Sequence, residues 1–226
     1  MLKNNLGRKE IIQAEYKKLM LEAAERVILR RGFRKATMDE IAREAQFSKA
    51  TIYKYFSNKG AMVLEIIIQY FEEIRARLEE IRLSEVHPVE KLKLMIMSVL
   101  KIQAEKENIS RMFIQDKNLW EFAHRLFASS RKDSDGDFQR ALEIFKQKRE
   151  DILRSGCLVV EEGIKKGVFV EDKPENIIKY ISALIEGLAH IRYWQEERLS
   201  PEEETEQMIR FLMGGLARRP IQKGVE

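Results

Sequence analysis

Residues 37–59 read TMDEIAREAQFSKATIYKYFSNK. Two short helices are written into this stretch. Thr37 is followed three residues later by Glu40, the pattern of a capping box: the hydroxyl accepts a backbone N–H and the carboxylate reaches back. Ile41, Ala42 and Ala45 supply a small apolar face, and the two alanines let short helices approach closely. Ser48 is placed to cap a second helix. On that helix Ile52 and Phe56 lie four apart and are expected to bury together. Lys49, Ala50, Tyr53 and Lys54 then project on the other side. One apolar face and one basic, aromatic face suit a recognition helix. The stretch is therefore expected to be a helix-turn-helix that enters a DNA major groove.

Upstream, Ile12, Tyr16, Leu19, Ala23 and Val27 recur at helical spacing and predict a first helix from about Arg8 to Arg31. Gly32 sits where a helix C-terminal glycine belongs. Downstream, Ser57 is expected to open a long helix reaching about Leu83. Val63, Ile67, Tyr70, Ile74, Leu78 and Ile81 mark its buried stripe. At about 1.5 Å per residue it is on the order of 40 Å long, enough to leave the head and run into a body. Turn formers and prolines then divide the chain into expected helices over 88–107, 110–129, 136–166, 174–198 and 201–217. The total is about nine helices, with a loose tail.

The composition agrees with an all-α chain: four prolines and 11 glycines in 226 residues are too few for a turn-rich fold. The charge is uneven. Residues 1–60 hold 14 Lys/Arg against 7 Asp/Glu, and the remainder 27 against 30, so the overall +4 divides into a head of +7 and a body of −3. A basic head attracts phosphates through Coulomb energy and counterion release. No apolar run is long enough to span a membrane, and the first ten residues lack the apolar core of a signal peptide. A cytoplasmic protein that does not contact the membrane is expected. Cys157 is the single cysteine, which excludes an intrachain disulfide, and a small apolar role fits it better than a redox switch. His87, His124 and His190 lie far apart, so no metal site and no cofactor are expected. No nucleophile elbow or phosphate loop is present, which argues against an enzyme.

Residues 20–66 resemble the tetracycline-repressor (TetR) family of bacterial transcription regulators. The pattern T-x-x-x-I-A-x-x-A-x-x-S-x-x-T-[IL]-Y-x-[HY]-F-x-x-K is met throughout, from Thr37 and Ile41–Ala42 to Tyr55–Phe56 and Lys59. There are two departures. Gln46–Phe47 replace the usual Gly-Val of the turn, so Gln46 must accept whatever backbone angle the turn imposes. Gly60 stands where an acidic residue often follows the lysine.

The resemblance implies an all-α fold: a three-helix DNA-binding domain over 1–56, and a ligand-binding and dimerisation domain over 57–219 with helix 57–83 as the link. It implies DNA-backbone contacts by Thr37, Thr51, Tyr53, Tyr55 and Lys59, and Ser48 is counted with the DNA-binding residues; Lys49, Ala50 and Lys54 are the candidates for base edges or the groove floor, and Tyr53 suits either role. It implies a homodimer through the last two helices, with Ile178, Ile181, Leu184, Ile185, Leu188, Met208, Leu212 and Leu216 at the interface. It also implies a body cavity for a small lipophilic effector, for which Met95, Val99, Phe113, Asp116, Trp120, Phe127, Phe145 and Cys157 are the candidates. The expected function is a ligand-responsive repressor on a palindromic operator. A helical dimer that holds DNA without sensing anything is the alternative, and an open cavity in the body distinguishes the two.

Overall fold

The computed structural model describes residues 2–109, 136–191 and 199–216. Every defined element among them is an α-helix: α1 Leu2–Arg31, α2 Met38–Glu44, α3 Lys49–Tyr55, α4 Lys59–Leu83, α5 Pro88–Glu105, α6 Gly136–Lys165, α7 Pro174–Ile191 and α8 Pro201–Leu216. Two compact units result, Met1–Tyr70 with Glu107–Lys146, and Phe71–Lys106 with Gln147–Glu226. The expected helix 110–129 lies outside the described residues. Among the described residues no helix is long and apolar enough to cross a membrane.

Helix ends follow local chemistry. Gly32 takes φ 78° after α1, and its N–H meets the Ile28 carbonyl at 2.7 Å, satisfying a carbonyl the helix leaves open. Asn58, rather than the expected Ser57, caps α4: its Oδ1 accepts the Ala61 N–H at 3.0 Å. The amide oxygen suits this task as well as a hydroxyl. Pro88, Pro174 and Pro201 open α5, α7 and α8, where a missing N–H costs nothing. After α6, Gly167 at φ 70° lets the Val168 N–H reach Gly163 O (2.9 Å) while its own N–H reaches Ile164 O (2.9 Å). That is the paired closure of a Schellman turn.

In the first unit, Met20, Ala23, Ala24, Val27 and Ile28 of α1 are buried with Ile41, Ile52 and Met62. The apolar face expected on α1 is only partly core. Ile12, Tyr16 and Leu19 remain 42%, 39% and 40% exposed, because the buried stripe begins at Met20. Tyr16 meets Phe47 edge-on at 5.1 Å between ring centroids. Along α4, Val63, Ile67, Ile74, Leu78 and Ile81 are buried as their spacing predicts.

In the second unit α7 and α8 both pack on α5. Ile178, Ile181 and Ile185 of α7 and Met208 and Leu212 of α8 are buried within the chain itself. These residues, expected at a dimer surface, are thus already covered in the single chain, Ile178 in part by α6, where it lies close to Gly156. The surface left open carries Tyr180, Leu184 and Ile191 on α7 and Phe211 on α8, with Leu188 half-buried. The Leu216 side chain lies outside the described residues.

Candidate DNA-binding site

The site begins with the ends of two seven-residue helices. The Thr37 Oγ1 accepts the Glu40 N–H at 3.2 Å, and the Glu40 carboxylate accepts the Thr37 N–H at 3.1 Å, so the capping box is complete. Bonding to Thr37, opposed by burial and aided by nearby Arg31, holds the Glu40 acid below its ordinary range. Ser48 Oγ accepts the Thr51 N–H at 3.0 Å and lies 2.7 Å from the Thr51 hydroxyl. Short helices need such caps, because nucleation leaves them marginal alone.

The turn between the helices is left-handed at Gln46, with φ 60°. This is the position where the sequence carries glutamine in place of glycine. A non-glycine residue there costs about 1–2 kcal/mol, which the surrounding packing must offset. The backbone remains bonded: Phe47 N–H reaches Ala42 O at 3.0 Å.

Burial of Ile52 and Phe56 fixes the roll of α3. Lys49, Ala50, Tyr53 and Lys54 are exposed on it, Tyr53 to 46%. Lys54 has no ion pair among the described residues, and its charge is available. Lys49 is engaged: its Nζ lies 2.7 Å from Asp39 Oδ1, and that carboxylate holds the ammonium above its ordinary range. Thr51 and Tyr55 are half-buried, while Thr37 and Ser48 are exposed.

Lys59 has a different part from the expected phosphate contact. Its Nζ donates to Phe33 O (2.6 Å), Arg34 O (3.1 Å) and Ala36 O (2.8 Å), and lies 4.9 Å from the Phe33 ring centroid. An ammonium has three donors, and all three are directed at the α1–α2 connection. Lys59 is therefore a pin that ties the start of α4 to that connection. Nothing in the local pattern around Lys59 signals this, since its partners lie more than twenty residues away.

Sequence reasoning also missed a charged cluster on α1 and α2. Arg26 and Arg30 both reach Glu44 (2.9 and 3.1 Å), and Arg31 reaches Glu40 (3.2 Å). Arg30, Arg31, Glu40 and Glu44, with Arg43, border a surface hollow of about 200 Å³. The carboxylates lie on α2 and most of the arginines on α1, so single-helix periodicity does not show the cluster.

The sequence pattern described as "Bacterial regulatory proteins, tetR family" matches residues 20–66, the stretch that holds the whole site. Beyond it, the HTH-type transcriptional regulator YhgD of Bacillus subtilis (strain 168) is 23% identical over 189 residues, 84% of this chain and 89% of that protein. The helix-turn-helix stretch of this chain is therefore similar to that of the tetR family of bacterial regulatory proteins. The regulator YdeS of the same organism is 48% identical over 48 residues, a match covering 21% of this chain and 24% of that protein. In fold, this chain is similar to the transcriptional regulator FadR from Bacillus subtilis, solved in complex with stearoyl-CoA. The TM-score is 0.68 at 18% identity, over 88% of this chain and 98% of that one. The described elements of the chain are thus all α-helical and include a helix-turn-helix, and the relatives it matches carry the names of uncharacterized HTH-type transcriptional regulators.

The expected effector residues that are described fall in both units. Met95 is buried and Val99 half-buried on α5, Cys157 is half-buried on α6, and Phe145 is buried in the first unit. Burial, with Glu175 and Glu161 nearby, pushes the Cys157 thiol up, which disfavours the reactive thiolate. Phe113, Asp116, Trp120 and Phe127 lie outside the described residues. Among the described residues no group of three or more His, Cys, Asp or Glu could hold a metal ion.

Proposed function

We propose that this chain is a ligand-responsive repressor that binds a palindromic DNA operator as a homodimer and is released by a small lipophilic effector. The observation that carries this is the face of α3: Lys49, Ala50, Tyr53 and Lys54 stand exposed on a helix whose roll and N-terminus are both fixed. Lysine can donate to guanine O6 and N7, and alanine can touch a thymine methyl. Thr37, Ser48, Thr51, Tyr53 and Tyr55 are the candidates for phosphate contacts, which set register.

One seven-residue helix reads too few bases for useful specificity. Two heads on a dimer read a palindrome with half-site centres about 34–36 Å apart, or a multiple of that. The exposed apolar side chains Tyr180, Leu184 and Ile191 of α7 and Phe211 of α8 are our choice for the dimer surface, with Leu188 beside them. In this reading residues 1–56 form the DNA-binding domain and 57–219 the body, linked by the helix that opens at Lys59. The stearoyl-CoA complex of FadR supports a lipophilic effector, since a similar fold accommodates an acyl chain. A coupling of about 1–3 kcal/mol would change operator affinity about 5–150-fold.

The test is selection of bound sequences from a random DNA library by the purified protein at fixed salt. A single palindrome with half-sites a helical turn apart is the expected result. Recovery of no motif by a folded dimer would remove the operator reading.

A further inference from the structure

The polar seam between α4 and α6 in the second unit has no role in DNA reading, and it contains a cavity. We propose that this cavity is an oxyanion site that takes the phosphate or carboxylate head of the effector. The proposal rests on the reading of the chain as ligand-responsive, and it makes the effector an amphiphile with an anionic end.

The cavity measures about 300 Å³, the lower end of the range for small-molecule pockets. Arg75, Glu79 and Arg82 of α4 line it from one side, and Asp151, Arg154 and Ser155 of α6 from the other. Three guanidinium groups thus face two carboxylates. The two on α4 are held in place. Arg75 donates Nε and Nη2 to Glu72 (3.0 and 2.7 Å), and Arg82 donates the same pair to Glu79 (2.7 and 2.6 Å). Glu72 is tied in turn to Lys148, and Glu79 accepts the hydroxyl of buried Ser155 at 3.0 Å.

A guanidinium carries five N–H donors in a rigid plane. Each bidentate pair uses two, so Arg75 and Arg82 keep donors for a further acceptor while their planes are fixed. Arg154 is exposed and has no ion pair among the described residues. Oriented arginines beside an uncommitted one are the groups that recognise carboxylate and phosphate. A seam meant only to hold two helices together needs neither the opening nor the unpaired arginine. Leu158, 38% exposed at the cavity edge, offers an apolar exit for the rest of an amphiphile.

The full chain is titrated calorimetrically at fixed ionic strength with three probes: inorganic pyrophosphate, coenzyme A and dodecanoate. The variants are Arg154→Ala, Arg154→Lys and the control Arg77→Ala, which removes an α4 arginine paired with Glu80 outside the cavity. Arg154 is exposed, so Arg154→Ala should keep the melting temperature of the parent. Saturable binding of either phosphate probe assigns a phosphate head, and binding of dodecanoate alone assigns a carboxylate. In both cases Arg154→Ala should weaken binding about tenfold or more, Arg154→Lys less, and Arg77→Ala not at all. Absence of saturable binding, or equal weakening by Arg77→Ala, would overturn the site. Operator affinity measured alongside separates the two readings. Release of operator by another compound, unaffected by Arg154→Ala, would reject this cavity while leaving the ligand-responsive regulator intact.

Discussion

The recognition helix and the α4–α6 seam use charge in opposite ways. On α3, Lys54 is left to solvent and Lys49 has one exposed carboxylate partner, Asp39. In the seam, Glu72 and Glu79 each hold an arginine bidentately and accept a further donor from α6. Charges in water are cheap to leave unpaired and ready for phosphate. The seam carboxylates, 39% and 35% exposed, gain little energy from pairing but hold their arginines in fixed orientations. The head is therefore built to give its cations to DNA, and the seam to keep most of its charges for itself. The exception in the seam, Arg154, is what marks its cavity as a site.

The sharpest way to break the comparison is at α3. Tyr53→Ala combined with Lys54→Ala should lower operator affinity about 100-fold while leaving helical content and dimerisation unchanged. Both side chains are exposed, so the core loses nothing. Fluorescence anisotropy with operator DNA and circular dichroism on one sample decide it. Loss of helix in step with loss of binding would show that these residues are structural and that the exposed face is no reading surface.

Stability tests act on the other side of the comparison. A Cβ on Gly163 of α6 would fall 2.1 Å from the ring of Phe169, which is 2% exposed. The ring cannot yield by that much in place, so Gly163→Ala should destabilise by about 1–3 kcal/mol despite alanine's better helix propensity. A lower denaturant midpoint at unchanged operator affinity of the folded fraction is expected. An unchanged midpoint would show that the chain after α6 is free to move off the helix.

These sites differ in how far they could be read ahead. Thr37, Glu40, Ser48, Ile52 and Phe56 were legible because each acts within four residues of its partner, and the helix-turn-helix follows from them. The helix-opening prolines were legible for the same reason. Lys59 was not, since its three carbonyl acceptors belong to a connection placed beside it only by folding. Nor was the seam: Glu72 and Lys148 are 76 positions apart, and each looks like an ordinary solvated charge on its own helix. The expected dimer residues raise a related point. Periodicity marked α7 as apolar on two sides, but only packing within the chain decides which side is already covered.

A smaller change sharpens the account of the head. Gln46→Gly relieves a left-handed residue at φ 60° and should stabilise the chain by about 1 kcal/mol, less the entropy glycine adds to the unfolded state. Thermal denaturation would show a slightly higher midpoint. A lower one would mean that the Gln46 side chain makes up for its backbone, and that the departure from glycine is an adaptation.

The smallest effect is the acid response of the seam. Bonding to Arg75, then to Lys148, holds the Glu72 acid down to about 2, and Arg82, aided by Ser155 against burial, holds Glu79 down to about 2. Both folded values lie below the ordinary 4.5, so the unfolded chain binds protons first as pH falls. Their stabilisation is complete above about pH 4.5 and is lost as pH drops towards 2. Both side chains are more than a third solvent-exposed or close to it, so screening keeps the loss small. The denaturant midpoint of the parent should fall more steeply across that window than that of a Glu72→Gln, Glu79→Gln variant. Parallel curves would mean that these ion pairs contribute nothing measurable. Arg75 and Arg82 would then be held by packing alone, and the contrast with the open charges of α3 would be one of position and no longer one of energy.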